Sequence, residues 1–336
     1  MTTDVILLFL GASLVLYCLF AGADFGAGIV EWICRRVYGR DISSLTKIAM
    51  GPVWEANHMW VIIAVVILFN GFPQIYSQAS IYFHIPLTLM LIGIIFRGCA
   101  YTFRHYDAIK DGAAELYSRA FQLASILTPI TMGLMAGALI LGNFPAQGGD
   151  YLTVYINPWA NGFSLGVGLF VVSLFTFLAA IYFVGETKDQ GEAQVFRQIA
   201  FWANIGCVAV GGMVLVLGNL AKTEFLAGFA SHPVSIGALG LATFLLWPLW
   251  VLLKKSSGTN RIRMIAGLQV TAILVGWFGI QFPVVFSFAD GQEPITFYSA
   301  AAGESTLRYL AGALLGGSLG IFPCLYYLFH VFKVRR

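Results

Sequence analysis

Four residues whose chemistry is at odds with their surroundings lie in the first hundred positions. Asp24, Glu55, His58 and Arg97 each fall inside, or at the end of, a long apolar run. Carboxylates give and take protons, an imidazole relays them near neutral pH, and a guanidinium holds a carboxylate ionised. An ionisable group at mid-span costs about 2.5–3.5 kcal/mol on insertion scales, so four without partners would cost on the order of 10 kcal/mol. That rivals the whole stability of a domain. The four are tolerable if Arg97 pairs with Asp24 or Glu55, or if water reaches them. Two uses fit: a buried ion pair that locks helices, or a proton or ion path. Glu55 and His58 are three apart and share a helix face. Glu31, one turn from Arg35, reads as solvated in the interface.

The elements that must position these residues are membrane spans. Hydrophobic residues make up 59% of the 336 and charged ones 10%. A soluble domain carries about 25% charged residues, so a soluble fold is excluded, and so is disorder. The apolar runs are continuous rather than alternating, which excludes a β-barrel. Nine runs are long enough to span: 5–33, 53–72, 79–103, 117–142, 158–184, 194–220, 234–253, 263–286 and 306–332. The expected architecture is an all-α integral membrane protein, one polytopic domain over 1–336. Two four-helix bundles (about 5–142 and 158–286) are followed by one additional helix. The start, Met1-Thr2-Thr3-Asp4, has no basic region and no cleavage site, so the first run reads as a retained span. The 225–230 stretch is too short to cross and is expected on the outer surface.

Basic residues set the expected orientation, because cytoplasmic loops accumulate Lys and Arg. Alternate connections hold Arg35, Arg36, Arg40 and Lys47; Arg104, Lys110 and Arg119; Lys188 and Arg197; Lys254, Lys255, Arg261 and Arg263; and Lys333, Arg335 and Arg336. The opposite side holds Lys222 and Arg308, and Arg97 is inside a span. The N-terminus is therefore expected outside and the C-terminus in the cytoplasm, and the net charge of +3 reflects topology rather than nucleic-acid binding. Asp24 lies 11 residues before Arg35, about 16 Å at 1.5 Å per residue, and Arg97 lies seven before Arg104, about 10 Å. Glu55 and His58 stand within two turns of the start of the second span. All four are thus expected in the cytoplasmic half, on three consecutive helices.

Other chemistry is sparse. The five cysteines are scattered and read as small buried hydrophobes. No Walker-type loop, GxGxxG, HExxH or CxxCH occurs, and no metal site is expected. A haem bound by two histidines needs them at matched depth, and only His58 is deep enough. His84, His105, His232 and His330 fall near helix ends or loops. Trp54 and Trp60 bracket Glu55, Asn57 and His58, as interface anchors or as contacts for a cofactor or quinone tail. Glycines four apart recur at Gly22/Gly26, Gly133/Gly137, Gly162/Gly166, Gly312/Gly316 and Gly316/Gly320. Such pairs let helix backbones approach closely. Internal packing is the expected use, with the last helix the better place for a second membrane subunit.

Three ordered stretches resemble a known family. Gly22-Ala23-Asp24-Phe25-Gly26-Ala27-Gly28 resembles the helix-one signature of subunit II of cytochrome bd-type quinol oxidases. Pro52-Val53-Trp54-Glu55-Ala56-Asn57-His58-Met59-Trp60 resembles the family's helix-two element, and Phe96-Arg97-Gly98 its Phe-Arg element late in helix three. The resemblance implies a subunit that ligates no haem and assembles with a haem-bearing subunit I, which carries the b- and d-type haems. The complex would oxidise quinol and reduce oxygen to water in the bacterial inner membrane, with protons drawn from the cytoplasm. A structural quinone and a small third subunit are compatible with it. Asp24 and Glu55 would carry over as the helix-one and helix-two acids, Arg97 as their basic neighbour and Trp54 as the aromatic beside the acid. Glu55 stands where many relatives carry Asp, His58 where an uncharged polar residue is usual, and Gly98 where Pro is common. These departures point to a divergent branch, such as a cyanide-insensitive type. From the residues alone, a stand-alone proton-coupled transporter and a purely structural scaffold also stay open. No inverted repeat supports the transporter.

Overall fold

The structure is a computed structural model that describes residues 2–51, 54–106, 113–145, 149–221, 227–228, 231–255, 258–289 and 291–331. Pro52, Val53, Lys110, Lys222, Lys333, Arg335, Arg336 and most of the 225–230 stretch lie outside the described residues. So do the side chains of His105 and Tyr106.

Among the described residues, nine helical segments are long and apolar enough to cross a membrane. The first is α1 (Thr2–Val37), followed by the short α2 (Ser43–Met50), α3 (Trp54–Gly71), α4 (Pro73–Tyr82) and α5 (His84–Tyr106). After these come α6 (Ala113–Leu141), the single turn α7 (Tyr151–Tyr155), α8 (Gly162–Val184) and α9 (Gln190–Leu220). The last spans are α10 (Pro233–Phe244) continued by α11 (Leu246–Lys254), then α12 (Thr259–Gln281) and α13 (Glu304–Phe329). A two-stranded antiparallel ribbon, β1 (Val284–Phe286) with β2 (Ile295–Thr296), separates the last two.

The boundaries depart from the apolar runs where a local signal overrides hydrophobicity. The run 79–103 is divided at Phe83, where α4 ends and α5 begins. The run 234–253 breaks at Leu245. Pro248, three residues on, cannot donate to the preceding turn. The run 158–184 becomes helical only at Gly162, because the Asn161 side chain accepts from the Ser164 N–H at 2.9 Å and caps the helix there. The run 263–286 leaves the helix at Gln281, before Pro283, and its last residues form β1.

Long-range bonds sort the connections into two ends. At one end Tyr298 donates to Asp4, the Ala302 N–H donates to the Gly71 carbonyl, and the Phe144 N–H donates to Ser287. At the other end Tyr182 donates to the Ala49 carbonyl, Tyr101 to the Lys47 carbonyl, and Arg263 to Glu186. The basic loop residues that are described gather at this second end.

α1 is the axis of the bundle. It packs on α3 and α6, and its other face lies on α8, which is sandwiched between α6 and α9. The two sets of four spans therefore share one core, built on Phe25, Phe175, Phe177, Phe183 and Phe196. α13 touches only α1 and α3 closely and is largely uncovered. Adding a Cβ to Gly312, Gly316 or Gly320 would meet nothing within 4 Å. By contrast, a Cβ on Gly133 would fall 2.4 Å from the Gly168 Cα, and one on Gly137 2.6 Å from the Ser164 Cα. α6 and α8 thus meet backbone to backbone.

Candidate functional site

The Gly22–Gly28 stretch brings α1 against two neighbours at once. A Cβ on Gly26 would lie 1.9 Å from the Phe175 carbonyl oxygen of α8, and one on Gly22 would lie 2.7 Å from the Phe175 ring. On another face, a Cβ on Gly28 would lie 2.3 Å from the Ser125 hydroxyl of α6. The glycines are required by this close approach, and they carry Asp24 into the middle of the bundle, fully buried.

Arg97 of α5 meets it there. Its Nη1 donates to Asp24 Oδ2 at 2.9 Å and its Nη2 to Asp24 Oδ1 at 2.7 Å. Nη2 also donates to the Asp24 carbonyl at 2.8 Å. The fork-to-fork geometry is the strong form of this pair. The guanidinium stands 5.0 Å from the ring centres of both Phe25 and Phe121, a desolvated cation between two aromatic faces. Arg97 therefore pairs with Asp24 and not with Glu55, which is exposed on the first turn of α3 and outside this buried cluster.

His58 lies against Phe25, with ring centres 5.6 Å apart, and is further enclosed by Tyr17 at 6.1 Å and Trp54 at 6.3 Å. Its Nδ1 and the Tyr17 hydroxyl are buried without a hydrogen-bond partner. Trp54 also packs on Tyr101 at 6.0 Å. Asn57 is buried, and Trp60 is buried against Phe322 of α13, 6.3 Å between ring centres. The structure thus brings together Asp24, Arg97 and His58 around Phe25. It leaves Glu55 at the rim and turns Trp60 to the last helix.

A second buried pair escaped the sequence reading. Glu31, expected to be solvated beside Arg35, is instead 3% exposed and accepts from Arg104 Nη1 at 2.6 Å. Gln122 of α6 donates to the same oxygen at 3.3 Å. Arg104, assigned to a loop, is on the last turns of α5, 4.6 Å above the Phe121 ring. Glu31 Oε2, Arg104 Nε and Nη2, and the Ser125 hydroxyl are buried without partners, so the region is polar beyond its two ion pairs. A signal for it was present. Asp24 and Glu31 are seven apart, and so are Arg97 and Arg104. Two parallel helices carrying acids and bases at equal spacing can pair both rungs at one register.

Phe121 lies between the two guanidiniums and is fully buried. Phe121→Leu is expected to weaken both cation–π contacts. The loss is about 2 kcal/mol or more, read as a lower melting temperature of the purified protein. An unchanged melting temperature would show that the ring only fills space.

The histidine rings that are described are not arranged as a facing pair. His58 faces Phe25, Tyr17 and Trp54, while His84 lies against Tyr155 and within 2.9 Å of the Ile81 carbonyl. His232 contacts Ser231, and His330 stacks on Tyr326. No two of them oppose one another, and among the described residues no group of three His, Cys, Asp or Glu could hold a metal ion.

Residues 2–332 match the family model described as cytochrome bd terminal oxidase subunit II. The chain is 23% identical over 297 residues to cytochrome bd ubiquinol oxidase subunit 2 of Bacillus subtilis (strain 168). That match covers 88% of this chain and 85% of the relative. It is 25% identical over 222 residues to cytochrome bd-I ubiquinol oxidase subunit 2 of Escherichia coli (strain K12), covering 63% of this chain and 56% of that one. Its fold is similar to a chain in the structure of bd oxidase from Geobacillus thermodenitrificans. There the TM-score is 0.77 at 17% identity, with both chains covered in full.

Proposed function

Because the chain belongs to the cytochrome bd terminal oxidase subunit II family, we propose that it works as the partner of a haem-bearing subunit I. The complex couples quinol oxidation to the reduction of oxygen to water in the bacterial inner membrane. The observation that carries this is the family match over nearly the whole length. The stand-alone transporter gives way to it. The described histidines of this chain offer no facing pair for a haem, so the b- and d-type haems are assigned to subunit I.

The end rich in Lys and Arg is assigned to the cytoplasm and the N-terminus to the outside, by the positive-inside rule. Proton uptake from the cytoplasm is then assigned to Glu55 and His58. Glu55 is exposed at the end of α3, where water or subunit I reaches it, and His58 follows one turn deeper on the same face. Both oxygens of Asp24 are engaged by Arg97. Asp24 therefore serves as an electrostatic anchor that holds α1 and α5 around the path rather than as a proton carrier. Of the residues considered for quinone contact, Asn57 and Trp60 are buried, which leaves half-buried Trp54 with a face for a structural quinone. The uncovered glycine face of α13 is the surface offered to subunit I.

Affinity purification of the tagged chain in mild detergent, with a reduced-minus-oxidised visible spectrum, tests the assignment. A second large hydrophobic subunit with b- and d-type haem bands is expected, and the same gel counts any small third subunit. A colourless chain purifying alone would overturn it. Glu55→Gln is expected to slow quinol oxidase turnover about a hundredfold or more, the range general acid–base groups contribute, with assembly unchanged. Full turnover and an unchanged haem spectrum would remove Glu55 from the path.

A further inference from the structure

Where α1 ends and α6 begins, the two helices border a groove of about 480 Å³. α1 lines it with Trp32, Arg35 and Arg36, and α6 with Arg119, Leu123 and Ile126. Both sets follow helical spacing, three or four residues apart, so each is one face of its helix. The guanidiniums gather at the rim. The apolar side chains lie deeper, Ile126 about 10 Å below Arg119 by helical rise. Glu115 accepts from Arg35 at 2.6 Å and from Arg119 at 3.0 Å, which holds both guanidiniums beside one carboxylate. Arg36 has no acidic partner among the described residues, so three cations face one anion. Trp32 is 43% exposed and Leu123 67%.

An occupant of this groove needs negative charge at the top and an apolar tail below. We propose that it binds an anionic phospholipid of the adjacent leaflet, with the phosphate between Arg36 and Arg119 and an acyl chain along Leu123 and Ile126. Guanidiniums pair with phosphate oxygens in a fixed fork geometry, and basic residues near the membrane surface favour anionic headgroups. Free phosphate would satisfy the rim but leave the apolar floor uncovered. The inference rests on the chain spanning a membrane, not on its role in an oxidase.

Native mass spectrometry of the full-length, detergent-purified protein tests it, with titration of dioleoylphosphatidylglycerol, dioleoylphosphatidylcholine or inorganic phosphate. Saturable binding of one phosphatidylglycerol is expected, weakened about tenfold in Arg36→Gln/Arg119→Gln. It should be unchanged in Arg261→Gln, which alters a different groove lined by Trp247 and Met264. Leu123→Trp keeps every charge, fills the apolar part and is expected to weaken binding as well. Binding unchanged in both groove variants would overturn the proposal, as would equal binding of phosphatidylcholine. Displacement of the lipid by equimolar inorganic phosphate would make this a simple anion site and overturn it too.

Discussion

Arg97→Ala is expected to leave little assembled protein in the membrane. The variant strands the Asp24 carboxylate, which is fully buried and has each of its two oxygens bonded by that one guanidinium, as is the Asp24 backbone carbonyl. Breaking a buried pair by removing one partner costs about 3–5 kcal/mol, a large fraction of what holds a domain together. Replacing both partners is expected to cost much less, because Asp24→Leu/Arg97→Leu leaves no uncompensated charge. The measurement is the amount of tagged protein in membranes and the melting temperature after solubilisation. Normal values for Arg97→Ala would mean that water already solvates the pair, whereas recovery in the double variant identifies the pair as a helix lock.

The second large effect is expected at Gly26. Its missing side chain lets α1 lie against the backbone of α8, and a Cβ there would fall inside the Phe175 carbonyl. No side-chain rotation relieves a clash with a backbone oxygen, so the two central helices must part. Their separation would loosen the shared Phe25–Phe175 contact, whose rings are stacked 6.4 Å apart. Gly26→Ala is expected to cost at least the 1–3 kcal/mol typical of overpacking, and Gly26→Leu to abolish accumulation of the protein. Gly11→Ala on the same helix is the control. It meets open space, and Ala is the better helix former, so accumulation should stay at the native level. Equal loss at Gly11 and Gly26 would point to a general intolerance of α1 rather than to this contact.

The spans were legible because lipid demands long apolar helical segments, and each of the nine runs overlaps one, although the seventh is interrupted at Leu245. Their ends were less legible. Hydrophobicity alone carried the eighth run through Val284-Val285-Phe286, which form a strand after Pro283. It likewise carried the fifth run back over the turn before Asn161. Three of the four charged residues singled out in the sequence meet around Phe25, whereas Glu55 does not, and the Glu31–Arg104 pair was missed. Helical rise and the loop charges put Asp24, Glu55, His58 and Arg97 in one half of the membrane, yet only tertiary packing decides that Arg97 reaches Asp24 while Glu55 stays exposed. Glu31 was misjudged for a related reason. A basic residue one turn away on the same helix suggested a local partner, whereas Arg35 instead turns to Glu115 and Glu31 to Arg104.

The two rungs have a consequence for how the chain is made. Asp24 and Arg97, like Glu31 and Arg104, are 73 residues apart. A ribosome therefore delivers both acids to the membrane long before either base exists. Until α5 is threaded in, α1 carries two carboxylates without the guanidiniums that pair with them in the fold, and it is best kept at the translocon, protonated or hydrated. The fifth helix is then a checkpoint: its arrival neutralises α1, closes Phe121 between two guanidiniums and fixes the register at one value. A chain interrupted before residue 97 is left with its acids exposed to lipid, in the condition that membrane quality control removes.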